Sequence, residues 1–179
     1  MPIIKFVFEA KISDDLESLY ENFVKEAREG AYKSTVTDEQ VIKAIKDRFY
    51  IGIYYEDKSD EVLTGYRLIE PYVLGKGYRT TDNKILYPNR KYLRAFVIRD
   101  TLADKDIGWK LSRRKSVSKS KTVPYWRMFR LDRIKQFVVF PKKITKFRKL
   151  YNPDDKQMGT ILAAAKKSDF SKGQSNKLN

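Results

Sequence analysis

Thr37-Asp-Glu-Gln-Val-Ile-Lys-Ala-Ile-Lys-Asp-Arg-Phe-Tyr-Ile-Gly-Ile-Tyr-Tyr55 changes its period half-way along. Thr37 and Gln40 have the spacing of a capping box, in which a hydroxyl and an amide side chain satisfy each other's end amides. Val41, Ile42, Ala44 and Ile45 then fall on one helical stripe, which predicts a helix over about 38–47. From Phe49 the residues are β-branched and aromatic, the composition of a strand. Gly52 inside that strand reads as a bulge or a bend. A helix running directly into a strand therefore opens the fold.

Further strands are predicted at 65–74, 91–99, 125–131 and 136–140. One helix followed by about five bent strands predicts an α+β, mainly β fold: a small, curled antiparallel barrel of SH3-like or Sm-like type. Ile51, Ile53, Leu93, Ala95, Phe129 and Leu131 are its expected core. Two connections read as long loops. Residues 75–90 carry Gly75, Gly77, Asp82, Asn83, Pro88 and Asn89. Residues 100–124 include Lys110-Leu-Ser-Arg-Arg-Lys-Ser-Val-Ser-Lys-Ser-Lys121, with six positive charges, no acid and four serines. That run has the composition of an arm that does not pack by itself.

Two extensions flank this unit, giving expected divisions at 1–36, 37–140 and 141–179. In the first, Ile4, Phe6, Phe8, Ala10 and Ile12 alternate with Lys5, Val7, Glu9 and Lys11, the period of a half-buried strand. An acidic helix follows from Asp14 to about Glu29, with Leu16, Leu19, Tyr20, Phe23, Val24 and Ala27 on one stripe and Gly30 as its stop. In the last, Asn152-Pro-Asp-Asp155 reads as a helix start, and Met158, Ile161, Leu162 and Ala165 as the stripe of a short amphipathic helix.

The 179 residues include no cysteine and no histidine. Thiolate metal sites, disulfides and the commonest general base are thereby excluded. Nothing marks a nucleophile with a base, and Gly75-Lys-Gly77 lacks the spacing of a phosphate loop. A non-enzymatic chain without cofactor or metal is expected. No apolar stretch reaches the roughly 18 residues of a membrane span, and the N-terminus does not read as a secretory leader. The expected location is inside a cell, cytoplasmic or in a virion. The net charge of +15 is unevenly placed: residues 1–65 sum to −5 and residues 66–179 to +20. A basic half of this kind suits a polyanion such as nucleic acid. Lys110, Arg113, Arg114, Lys115, Lys119 and Lys121, with Lys142, Lys143, Lys146, Arg148 and Lys149 of the tail, are the expected phosphate contacts.

Four pieces of the chain carry a family resemblance. They are Ile51-Gly-Ile-Tyr54, Arg67-Leu-Ile-Glu-Pro71, Tyr92-Leu93 and Arg127-Met-Phe-Arg-Leu-Asp-Arg-Ile134. In this order they resemble the WYL domain, a small ligand-sensing module of bacteria and phages, over about residues 38–140. Lys91 stands where that family's name-giving Trp would be, and the usual helix-turn-helix is missing. The resemblance implies a small barrel and a binding role, with Arg127 in a basic ligand cluster.

Strand parity gives this implied site its shape. Phe129 and Leu131 share the core face, and Arg127 has their parity but lies nearer the strand start, at the rim. Tyr92 and Arg94 alternate with core-like Leu93 and Ala95. Tyr92, Arg94, Arg127 and Arg133 form the expected ligand site, where a tyrosine face beside arginine forks suits a nucleotide. The other reading pairs Arg127 and Arg133 with a carboxylate such as Asp132 or Glu70 to pin a turn. Two functions lead: a nucleic-acid or nucleotide-binding module, or a phage virion assembly protein that docks subunits through the small barrel and touches neighbours or packaged DNA with its basic arms; a third is an accessory protein that binds an RNA-guided or other defence complex. Protein partners or self-association through both extensions are expected in either of the first two cases.

Overall fold

Thr37 and Gln40 cap the first turn of a helix reciprocally: the Thr37 amide donates to Gln40 Oε1 at 3.0 Å, and the Gln40 amide donates to Thr37 Oγ1 at 3.3 Å. This helix, α2 (Asp38–Asp47), buries Val41, Ala44 and Ile45. Arg48 ends it in the left-handed region (φ 60°) and turns the chain straight into β1 (Phe49–Tyr55). The computed structural model describes residues 14–59, 63–100 and 125–167. The expected strand at 4–12 and the basic run 110–121 lie outside these residues.

The remaining elements are α1 (Asp14–Arg28), β2 (Gly65–Arg79), β3 (Ile85–Asp100), β4 (Tyr125–Arg130), β5 (Ile134–Lys143) and β6 (Met158–Ala164). They form a mainly β, antiparallel six-stranded sheet in the order β4-β3-β2-β1-β5, with β6 paired to β2. The sheet is open. Its edge strands β4 and β5 are separated in sequence only by the 3₁₀ turn Leu131–Arg133, yet no ladder joins them among the described residues.

Pro71 explains how β2 serves two partners on one edge. Along that edge β1 pairs with it up to Ile69, and β6 takes over from Val73. Between them Pro71 has no N–H to give a ladder. On the other edge the register with β3 slips between Pro71 and Val73, leaving Tyr72 as the extra residue of a bulge.

Both faces of the sheet are covered. Ile51, Ile53, Leu93, Ala95, Phe129 and Leu131 are buried in the main core, under α2 and the C-terminal segment. Leu16, Tyr20, Phe23 and Ala27 of α1 pack on the opposite face against Leu68, Ile98 and Phe140. Gly52 makes that packing possible. A Cβ there would meet Phe140 and Phe23 at 2.9 Å. Gly52 is thus a site of close approach and not the expected bulge, since the β1 register slips on either side of it.

Two expectations are overturned. Residues 75–90 are not a loop: β2 and β3 continue through them as a long hairpin, with Tyr78 opposite Leu86 and Arg79 opposite Ile85. Gly77, at φ +74°, sits at a register slip of that ladder. Met158–Ala164 is a strand and not a helix. Its apolar residues meet a sheet edge that needs hydrogen-bond partners, and that demand outweighs helical spacing. Asn152 and Asp154 make an Asx turn instead of a helix cap, the Asp154 amide donating to Asn152 Oδ1 at 3.0 Å. Among the described residues no helix is long and apolar enough to cross a membrane.

Candidate nucleic-acid interface

Buried ion pairs take up much of the arginine that the sequence offered for ligand binding. Arg67 is fully buried, and its Nε donates to Asp100 Oδ2 at 3.0 Å. Its guanidinium also donates to the carbonyls of Leu63 and Gly65. Arg148 forks onto Glu70, which is buried and also accepts from the Tyr72 hydroxyl at 3.1 Å. Burial and the nearby Glu70 charge push the Tyr72 and Tyr50 hydroxyls up, so both stay neutral donors. Burial pulls the Arg148 guanidinium down, but the bond to Glu70 outweighs it and holds it above its usual value. Arg148 is therefore a staple between tail and sheet, which corrects its expected role as a phosphate contact.

The four residues of the expected ligand site come apart into three places. Tyr92 is buried in the main core, only 6% exposed, and forms no wall of an open site. Its ladder partner is Arg130, which pairs with Asp132. Arg127 reaches the rim, half-buried, its guanidinium carbon 5.6 Å from the Tyr55 ring centroid and 5.3 Å from that of Phe129. Arg133 pairs with Asp57, and not with Asp132 or Glu70. Burial pushes the Asp57 carboxyl up. The Ser59 hydroxyl and amide, followed by the Arg133 and Arg127 charges, outweigh that and hold it below the usual carboxylate range. Arg133 thus holds the Asp57 carboxylate directly, and the Arg127 charge favours its ionised form from further off.

Arg94 lies elsewhere, beside a cleft of about 300 Å³ between the β3–β4 face and the segment joining β5 to β6. Its Nε donates to Asp155 Oδ2 at 2.6 Å, and its Nη2 also reaches Gln157. Trp126, Leu150, Tyr151, Asn152 and Lys156 complete the lining. The Trp126 indole N–H donates to the Lys149 carbonyl at 3.2 Å, and its ring stacks within 15° of Tyr151. Trp126 stands inside the predicted strand 125–131, Asp155 was read only as part of a helix start, and Tyr151 and Gln157 carried no signal. They reach Arg94 only because the tail folds back as a strap.

That strap also sorts the expected tail lysines. Lys142 pairs with Asp15 of α1, and Lys143 lies 5.8 Å over the Phe49 ring. Lys146 and Lys149 are exposed, as is Lys156 beside the cleft. None of these three has a carboxylate partner among the described residues. Among the same residues no cluster of three carboxylates gathers that could hold a metal ion. No family model, curated protein or solved structure matches the chain.

Proposed function

We propose that this chain is a non-enzymatic module that binds nucleic acid along the strap between β5 and β6. The observation that carries this reading is the distribution of satisfied and unsatisfied charge. Arg67, Arg94, Arg130, Arg133 and Arg148 each face a carboxylate, whereas Lys146, Lys149 and Lys156 are exposed without one among the described residues. Unpaired lysines on a surface supply sequence-independent phosphate contacts and release counterions on binding. The sequence of residues 110–121, between β3 and β4, adds six more positive charges to the same basic half. The WYL-like reading of the fold is compatible with this role. Its support is the helix running into β1, the strand that holds Ile51-Gly-Ile-Tyr54.

The test is the salt dependence of binding to single- and double-stranded DNA. The logarithm of affinity falls linearly with the logarithm of salt, with a slope of roughly −0.7 to −0.9 per phosphate neutralised. Changing Lys146, Lys149 and Lys156 together to Gln makes the slope shallower. Absence of binding at low salt would sink this reading.

A second reading, subunit docking in a virion, is favoured by one feature. The end of the β2–β3 hairpin exposes Ile85, Leu86 and Tyr87, the last of them 56% exposed. Light scattering after size exclusion separates the readings: a ring or larger assembly without DNA favours docking.

A further inference from the structure

We propose that the Arg94–Trp126 cleft seats one unpaired nucleotide, so that the chain prefers a single strand to a duplex. This inference rests on the nucleic-acid reading and names the form of nucleic acid that fits it. The cleft lies at the lower end of ligand-site volumes, roughly 300–1,000 Å³. That is room for one nucleotide and not for a helix.

Its lining divides into two kinds of contact. Arg94 directs Nε and Nη2 to Asp155 and Gln157, which fixes the plane of the guanidinium. Its Nη1 has no partner among the described residues and its side chain keeps 18% exposure. Lys156 lines the same cleft, its ammonium without a carboxylate partner among the described residues. A guanidinium held flat beside a free ammonium receives a phosphate by charge-assisted hydrogen bonds.

The second kind of contact is apolar. Leu150, held at φ 66°, is 83% exposed at the cleft wall, an unusual position for a leucine without a neighbour to cover it. The half-buried Trp126 ring lies on the same wall, fixed by its bond to the Lys149 carbonyl and by edge contact with Phe96. A base laid against Leu150 and the open part of Trp126 leaves its sugar-phosphate toward Arg94 and Lys156. Bases stacked in a duplex do not present a face in this way, whereas those of a single strand do.

The experiment compares a short oligothymidylate with a duplex of equal length. Wild type and the double variant Leu150→Ser, Lys156→Ala are measured, both residues being exposed. The expected result is a loss of about tenfold or more on the single strand, about 1.4 kcal/mol, since the base loses its apolar wall and the phosphate its ammonium. The duplex loses only the small share of one phosphate contact. A Trp109→Phe background leaves Trp126 as the sole tryptophan, and its fluorescence changes saturably with the strand. Equal losses on strand and duplex, or strand binding that leaves Trp126 fluorescence unmoved, would overturn the cleft while leaving the phosphate track standing. Failure to bind either nucleic acid would overturn both.

Discussion

Arg148 holds Glu70 through two parallel hydrogen bonds, Nε to Oε2 at 2.8 Å and Nη2 to Oε1 at 2.7 Å. Glu70 is 1% exposed and lies in the middle of β2. The Arg148 amide also donates to the Tyr72 hydroxyl at 3.1 Å. One residue of the strap therefore satisfies a carboxylate that has no route to water. Arg148→Ala leaves that charge buried without its cation, and such a break costs about 3–5 kcal/mol. Arg148→Lys recovers part of the loss, keeping charge without the fork. Urea denaturation measures both, and an alanine variant as stable as the parent would show that Glu70 reaches solvent.

Asp57 gives the rim a pH dependence of definite sign. Its carboxyl titrates below the usual range in the folded protein, because Ser59, Arg133 and Arg127 outweigh the cost of its burial. A depressed carboxyl stabilises the fold fully above its unfolded pKa of about 3.9. That contribution is lost as the pH falls through the lower folded value. Asp57→Asn removes it, so the gap in melting temperature between parent and variant is constant near neutrality and narrows below about pH 4. A gap unchanged through the acid range would mean that Arg133 does not hold the carboxylate in solution.

Phe129 stands at the junction of core and rim. It is fully buried, 5.2 Å from the Tyr55 ring, with the Arg67 and Arg127 guanidinium groups over its ring. Phe129→Ala costs about 3–5 kcal/mol as a large core truncation. It also frees Arg127, so the Asp57 effect on the melting temperature shrinks in the same variant. Calorimetry of the single and double variants tests both, and a purely additive pair would detach Arg127 from this ring.

Local periodicity made much of this fold legible. The capping box at Thr37 and Gln40, the α1 stripe and the core parity of Leu93, Ala95 and Phe129 are all short-range patterns. The candidate site was not legible, because its residues meet through chain reversal. Strand parity set Tyr92 and Arg94 apart from Leu93 and Ala95, yet Tyr92 is buried in the same core as those two while Arg94 lines the cleft. Parity does not say that Tyr92 will be buried in the core or that the strap will deliver Asp155 to Arg94. Arg127 lies half-buried over the Tyr55 and Phe129 rings, and the carboxyl that its charge lowers is Asp57, a residue that carried no signal. The tail was misread for the same reason: spacing at Met158, Ile161 and Leu162 fits a helix, and only the open edge of β2 makes it a strand.

Gly75 tests that correction directly. It lies in β2 opposite Ile161 of β6, and a Cβ built on it would fall 2.4 Å from Met158 Sδ and 2.7 Å from the Thr160 carbonyl oxygen. The methionine side chain can swing away, but the carbonyl belongs to the β6 backbone and moves only if the strand does. Gly75→Ala therefore pushes β6 off the edge of β2, at a cost of about 1–3 kcal/mol for the overpacking. Hydrogen exchange locates the loss: amides of residues 158–164 exchange faster, and those of β1 and β5, which form no ladder with β6 among the described residues, keep their protection. If 158–164 were an exposed helix, the added methyl would meet nothing, and both stability and exchange would match the parent.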